Sequence, residues 1–171
     1  MRFTDFLKAT VLTSAGAATL LAAITAVAAG RADDPLLVPF AAGWWLLAAA
    51  VGVVLGRRAE TSPPIARLLA DARSTQSLPE VSPGRVLFNR LWPLLICTLA
   101  AAGLAFLFPQ IAAIATGFAL IWALSWRHQD AAVTAIEGRD GVRYYVERTS
   151  PLSAIRLLRT PGLRSGATQN W

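Results

Sequence analysis

Four stretches of the chain are apolar and carry no charge: Ala9–Gly30, Leu36–Gly56, Leu91–Phe108 and Pro109–Trp126. Their apolar residues run round the whole helical circumference. That pattern belongs at the centre of a large protein or in lipid. The first two stretches each reach the roughly 20 residues that cross a bilayer. The run from Leu91 to Trp126 is long enough for two crossings, and its turn at Phe108-Pro109-Gln110 is too short for anything but an antiparallel hairpin. The expectation is an all-α membrane protein with four transmembrane helices as two hairpins, carrying a small cytoplasmic C-terminal helix plus a β-hairpin-like tail. The segments are 1–8 (N-terminus), 9–30 (first span), 31–35 (outer loop), 36–56 (second span), 57–90 (inner loop), 91–108 (third span), 109–126 (fourth span) and 127–171 (tail).

Polar patterning takes over between the spans. Thr61-Ser62-Pro63-Pro64 breaks the chain, and Ile65–Arg73 reads as a short amphipathic helix with Ile65, Leu68 and Leu69 on one face. Ser74–Gly84, with Pro79 and Pro83, reads as an extended linker. In the tail, Asp130 is placed to cap a helix over Ala131–Glu137. Gly138-Arg139-Asp140-Gly141 is a turn signal. Val142–Glu147 alternates and is rich in β-formers, so it reads as a strand. Ile155–Arg159 fits a second strand pairing back on the first, or a basic amphipathic helix begun by Ser150 and Pro151; the hairpin is the preferred reading. A two-stranded hairpin is marginal alone in water. It must lean on the inner loop, the bilayer surface or another protein.

Composition changes the picture in two ways. A chain of 171 residues is too short to bury four all-round apolar helices from water. The net charge of +6 would suggest nucleic acid in a soluble protein, but its placement points to a membrane. Fifteen of the sixteen Lys and Arg residues fall on one side of a four-span arrangement, and Arg31 is the exception. Basic loops stay in the cytoplasm, so both termini are expected there, with no nucleic-acid partner. Trp92 and Trp126 sit at the span ends as aromatic belts do. Trp44 and Trp45 lie too deep for the belt and pack on a neighbouring helix or face lipid. Arg2, Lys8 and the Ala26-Val27-Ala28 sequence resemble a signal peptide, but the apolar run exceeds the usual length of about 7–15 residues.

Small residues recur along two spans. Ala112, Thr116, Ala119 and Ala123 form one seam of the fourth, and Ala15, Thr19, Ala22 and Ala26 form a similar line on the first. Gly52 and Gly56 make a GxxxG. Such seams let helices approach closely in lipid, within the chain or between copies. Pro39, Pro93 and Pro109 are read as first-turn prolines.

Little chemistry remains. No span holds an ionisable residue, the usual mark of a proton relay or ion path. Thr98, Thr116 and Ser125 are expected to bond to their own helices. Cys97 is alone inside the third span and reads as a small buried hydrophobe. His128 is the single histidine and reads as interfacial. Asp33 and Asp34 could hold a cation but read better as an acidic outer cap. There is no Walker, GxGxxG or GxSxG sequence and no zinc spacing. No catalytic residue, cofactor or metal is expected.

The tail pattern Glu137-Gly-Arg-Asp-Gly-Val-Arg-Tyr-Tyr-Val-Glu147, with Thr149-Ser-Pro151 and Arg159-Thr-Pro-Gly162, resembles small uncharacterised four-span integral membrane proteins of high-GC actinobacteria. The resemblance implies a bacterial plasma membrane and adds no catalytic residues. The expected function is a non-enzymatic accessory or scaffold subunit. Its loop and tail would meet a partner, or anionic lipid of the cytoplasmic leaflet, through Arg67, Arg73, Arg143, Tyr144, Tyr145, Arg156 and Arg159. The partner would be another membrane protein or a second copy. The alternative is a small oligomeric permease or channel.

Overall fold

A computed structural model describes residues 1–31, 34–57, 60–75, 82–147 and 154–161. In chain order the elements are α1 (Phe3–Ala29), α2 (Leu37–Leu55), α3 (Pro63–Ala70), β1 (Arg73–Ser74), α4 (Pro83–Leu104), α5 (Pro109–Trp126), α6 (Gln129–Asp140), β2 (Val142–Val146) and β3 (Leu157–Pro161). Four of the helices are long and apolar enough to cross a membrane. Their outward faces carry large apolar side chains such as Leu12, Leu46, Leu99 and Phe106, all more than two-thirds exposed. Exposed apolar surface on that scale marks a lipid or protein contact.

α5 stands in the middle of the bundle. α1 and α2 flank it, α4 rests more lightly on α1 and α5, and α1 and α2 barely touch. Two hairpins describe the chain path but not the packing, because the main neighbour of α2 is α5. The cause is a second small face on α5. A β-carbon on Gly52 would fall 2.8 Å from Leu124 Cβ and 3.2 Å from Ile121 Cα, and one on Gly56 would run into the carbonyl of Leu124. On α5 itself, Gly117 leaves the space that the Trp44 indole occupies. The indole of Trp44 donates to Ile114 O at 3.1 Å and that of Trp45 to Ala113 O at 2.9 Å. Both tryptophans therefore pack on the neighbouring helix, with their N–H groups satisfied by its carbonyls.

The other seam of α5 is buried at Ala112, Thr116, Ala119 and Ala123. Ala112 packs with Leu21 of α1, with Ala101 of α4 and with Ala105 at its C-terminal cap. On α1 the buried line is Thr10, Ser14, Ala17, Ala18, Leu21 and Thr25. The line expected there is corrected: Ala15, Thr19 and Ala26 are exposed. In a helix this rich in alanine, small residues occur on every face, and only the partner selects one. Thr98, Thr116 and Ser125 donate to carbonyls of their own helices at 2.8, 2.8 and 3.1 Å. Cys97 is exposed on α4, not buried, because α4 is the least enclosed of the four long helices.

Two helices begin or end away from the edges of their apolar runs. α4 starts at Pro83, eight residues before its charge-free stretch, so Pro93 is an interior proline and not a first-turn one. It withholds a hydrogen bond from the carbonyl four residues back. Pro39 is the third residue of α2, in its first turn as expected, and Pro63, Pro83 and Pro109 open α3, α4 and α5. α6 runs on through the expected turn at Gly138-Arg139-Asp140 and stops at Gly141, whose φ of 64° supplies the left-handed cap.

α1 is 27 residues long, about 40 Å at 1.5 Å per residue, against roughly 30 Å of hydrocarbon. Its first turns project into a cap built from three separate parts of the sequence. Phe3, Phe6 and Leu7 from α1 meet Ile65 and Leu69 of α3, Val86 of α4, Val133 of α6, Val142, Tyr144 and Val146 of β2, and Leu157 of β3. The three strands form one sheet in the order β1-β3-β2. β2 and β3 are antiparallel, with Val142 opposite Pro161 and Val146 opposite Leu157, and β1 adds in parallel to β3. The second tail element is thus a strand, two residues later than expected; Ser153 and the turn before it lie outside the described residues. The N-terminus joins the far edge: Arg2 bridges Tyr145, and Val146 N donates to Met1 O at 3.1 Å. The hairpin leans on its own chain, at the inner loop and the N-terminus.

Candidate functional site

The polar groups that the fold gathers lie in the cap, and the buried ones hold it together. Glu137 is buried on α6. Its Oε2 accepts from Arg2 Nη2 at 2.9 Å and its Oε1 accepts from the backbone N–H of Tyr144 at 2.9 Å. One carboxylate thereby ties the N-terminus, α6 and β2. The Arg2 guanidinium is held above its ordinary pKa chiefly by that hydrogen bond, against the opposing effect of burial. Gln129, also buried, accepts from Ser62 N at 2.9 Å and donates to Glu60 O at 3.4 Å, which fixes the approach to α3. Neither Glu137 nor Gln129 was picked out from sequence as anything but an ordinary polar residue. A carboxylate seven residues before a buried strand amide has no local signature.

The residues expected to contact a partner or lipid separate into groups. Arg67, Arg73, Arg143, Arg156 and Arg159 are exposed. Tyr145 is half-buried, with its backbone paired to Arg2. Tyr144 is 3% exposed and belongs to the cap core. That corrects its place as a contact residue: strand alternation turns it inward and Arg143 outward. His128 is exposed beside the start of α6. Asp34 accepts from Leu36 N at 3.0 Å and so shapes the turn before α2; Asp33 lies outside the described residues.

Among the described residues, three cavities border the cap. An apolar one of about 450 Å³ lies where the cap meets the bundle, between Phe6, Thr10, Leu91, Leu94, Trp122 and Trp126. Arg90, Leu68 and Ile155 also line it. A polar one of about 270 Å³ shares Leu68 and Ile155 with the first and is bordered by Asp71, Arg73 and Arg156. The third, about 300 Å³, lies between α3, α6 and the sheet, with Tyr144 and Arg159 at its wall. The structure brings Arg73 and Arg156 to one cavity, Arg159 to another, and leaves Arg67 and Arg143 on open surface. Arg90, outside the expected set, reaches the same region: its Nη2 donates to Ala154 O at 3.4 Å. Among the described residues no group of three or more His, Cys, Asp or Glu side chains is placed to hold a metal ion.

Fold and site together define a small helical bundle of membrane-spanning type with one charged, folded end. Comparison with protein families, curated proteins and solved structures finds no match for the chain.

Proposed function

We propose that the chain is a multi-pass protein of a bacterial plasma membrane, of actinobacterial type, with both termini and the cap in the cytoplasm. In this reading it is a non-enzymatic accessory or scaffold subunit that presents the cap to a partner. The orientation follows from the charge: the cap end collects nearly all the arginines. The observation that carries the scaffold reading is the division of labour in the cap. Its buried polar groups, Glu137 and Gln129, are engaged in holding the fold, while Arg67, Arg73, Arg143, Arg156 and Arg159 stand exposed on it. A rigid surface studded with guanidinium groups suits an acidic partner. The bundle favours this reading over a permease, because the seam of Ala112, Thr116, Ala119 and Ala123 is packed shut.

Crosslinking in native membranes, then mild solubilisation and mass spectrometry, tests the proposal. A stoichiometric partner whose recovery falls for Arg143→Gln with Arg159→Gln is the expected result. A chain that crosslinks only to itself, or whose partner ignores both substitutions, would refute it.

A further inference from the structure

We infer that the paired cavities under the cap form a binding site for one anionic phospholipid of the cytoplasmic leaflet, with an acyl chain in the apolar cavity and the headgroup phosphate among Arg73, Arg90 and Arg156. The inference rests on the membrane placement proposed above.

The two cavities are complementary in chemistry and share two lining residues. The larger is walled by Phe6, Leu91, Leu94, Trp122 and Trp126 and lies along the inner ends of α1, α4 and α5. Its volume of about 450 Å³ is within the range of small-molecule sites, roughly 300–1,000 Å³. The smaller cavity abuts it through Leu68 and Ile155, and its charged borders are Arg73, Arg156 and Asp71. Arg90 lines the apolar cavity, and its guanidinium reaches the backbone at Ala154, two residues from Arg156. Among the described residues that line the two cavities, three guanidinium groups stand against one carboxylate, a net positive charge. An apolar slot opening at headgroup level onto such a mouth matches an amphiphile with an anionic head. A neutral amphiphile would leave the exposed charges of Arg73 and Arg156 without a counter-charge from the ligand, and a free anion would leave the slot unfilled. A cation near an anionic leaflet contributes about 1 kcal/mol, or about fivefold in affinity for each arginine.

The test uses the full-length chain in mild detergent, with equimolar phosphatidylglycerol and phosphatidylcholine added and bound lipid counted by native mass spectrometry. One phosphatidylglycerol should be retained under washing that removes phosphatidylcholine. Arg73→Gln with Arg156→Gln, both at exposed positions, should lower that preference at least tenfold, and adding Arg90→Gln should lower it further. Arg67→Gln with Arg143→Gln removes the same charge elsewhere on the cap and should leave the preference unchanged. Equal retention of the two lipids, or equal losses in both double variants, would overturn the site in favour of general surface attraction. Displacement by millimolar glycerol 3-phosphate would overturn the lipid assignment and leave a phosphate site. Retention in detergent does not depend on orientation, so cysteine labelling that put the cap outside the cell would refute the placement while the site itself stood.

Discussion

Gly56 is where the α2–α5 contact has the least freedom to adjust. A β-carbon added there meets the carbonyl of Leu124 on α5, and Gly52 O of its own helix is 3.1 Å away. The Leu124 carbonyl is backbone and cannot rotate away, so the helices must part. Overpacking of this kind costs about 1–3 kcal/mol, and separation also stretches the bonds from Trp44 and Trp45 to α5. Gly43 lies on the same helix with nothing within 4 Å of its would-be β-carbon. There, alanine should be neutral or gain up to about 1 kcal/mol through helix propensity. Gly56→Ala and Gly43→Ala should therefore differ by about 2–4 kcal/mol, with Gly52→Ala between them, since its nearest obstacle is Leu124 Cβ at 2.8 Å. Equilibrium unfolding of the purified chain in detergent, followed by tryptophan fluorescence, measures the difference. Equal stabilities for Gly56→Ala and Gly43→Ala would refute the close approach of α2 and α5.

Other positions give sharper local readouts. Trp45→Phe keeps the aromatic packing and removes one interhelical hydrogen bond, so unfolding measurements should show a loss of about 0.5–1.5 kcal/mol; a loss of several kcal/mol would mean that the indole does more than donate to Ala113. Glu137→Ala strands the buried amide of Tyr144 and one guanidinium bond of Arg2, and should cost about 2–4 kcal/mol. Hydrogen exchange should then speed up at Tyr144 and Val146 but not in α5, and uniform acceleration would refute a tie confined to the cap. Pro93→Ala restores an interior helix hydrogen bond, so thermal unfolding should be unchanged or later; a marked loss would mean that the interior proline shapes the α4 packing.

The apolar runs made the four long helices legible, and strand alternation and apolar spacing revealed β2 and α3. What the sequence hid is non-local. Arg85 and Arg90 end the apolar run of the third span, yet the helix continues through them to Pro83, because hydrophobic length and helical length are set by different forces. The buried face of α1 was unreadable among so many alanines until α5 supplied the partner. Phe3, Phe6, Leu7 and Thr10 do carry helical spacing, which could have marked the N-terminus as part of a core. The site suffered most. Arg73 and Arg156 were noticed as separate charges, and only the parallel pairing of β1 with β3 places them together. Arg90 falls at the end of the expected inner loop 57–90, yet it lines the apolar cavity.

The pairing of Met1 and Arg2 with Tyr145 and Val146 has a consequence for how the protein is made. Arg2 and Glu137 are separated by 135 positions, so the α1 side of the cap waits until α6 and β2 have been synthesised. Domains fold as they are synthesised, and the long helices can enter the bilayer one after another while Phe3 and Phe6 remain uncovered. Closure of the cap then follows the synthesis of all four long helices. A lesion in the tail would yield a protein that is inserted but unfinished, its aromatic N-terminus open to proteolysis, and the cell would register the fault as low abundance and not as mislocalisation.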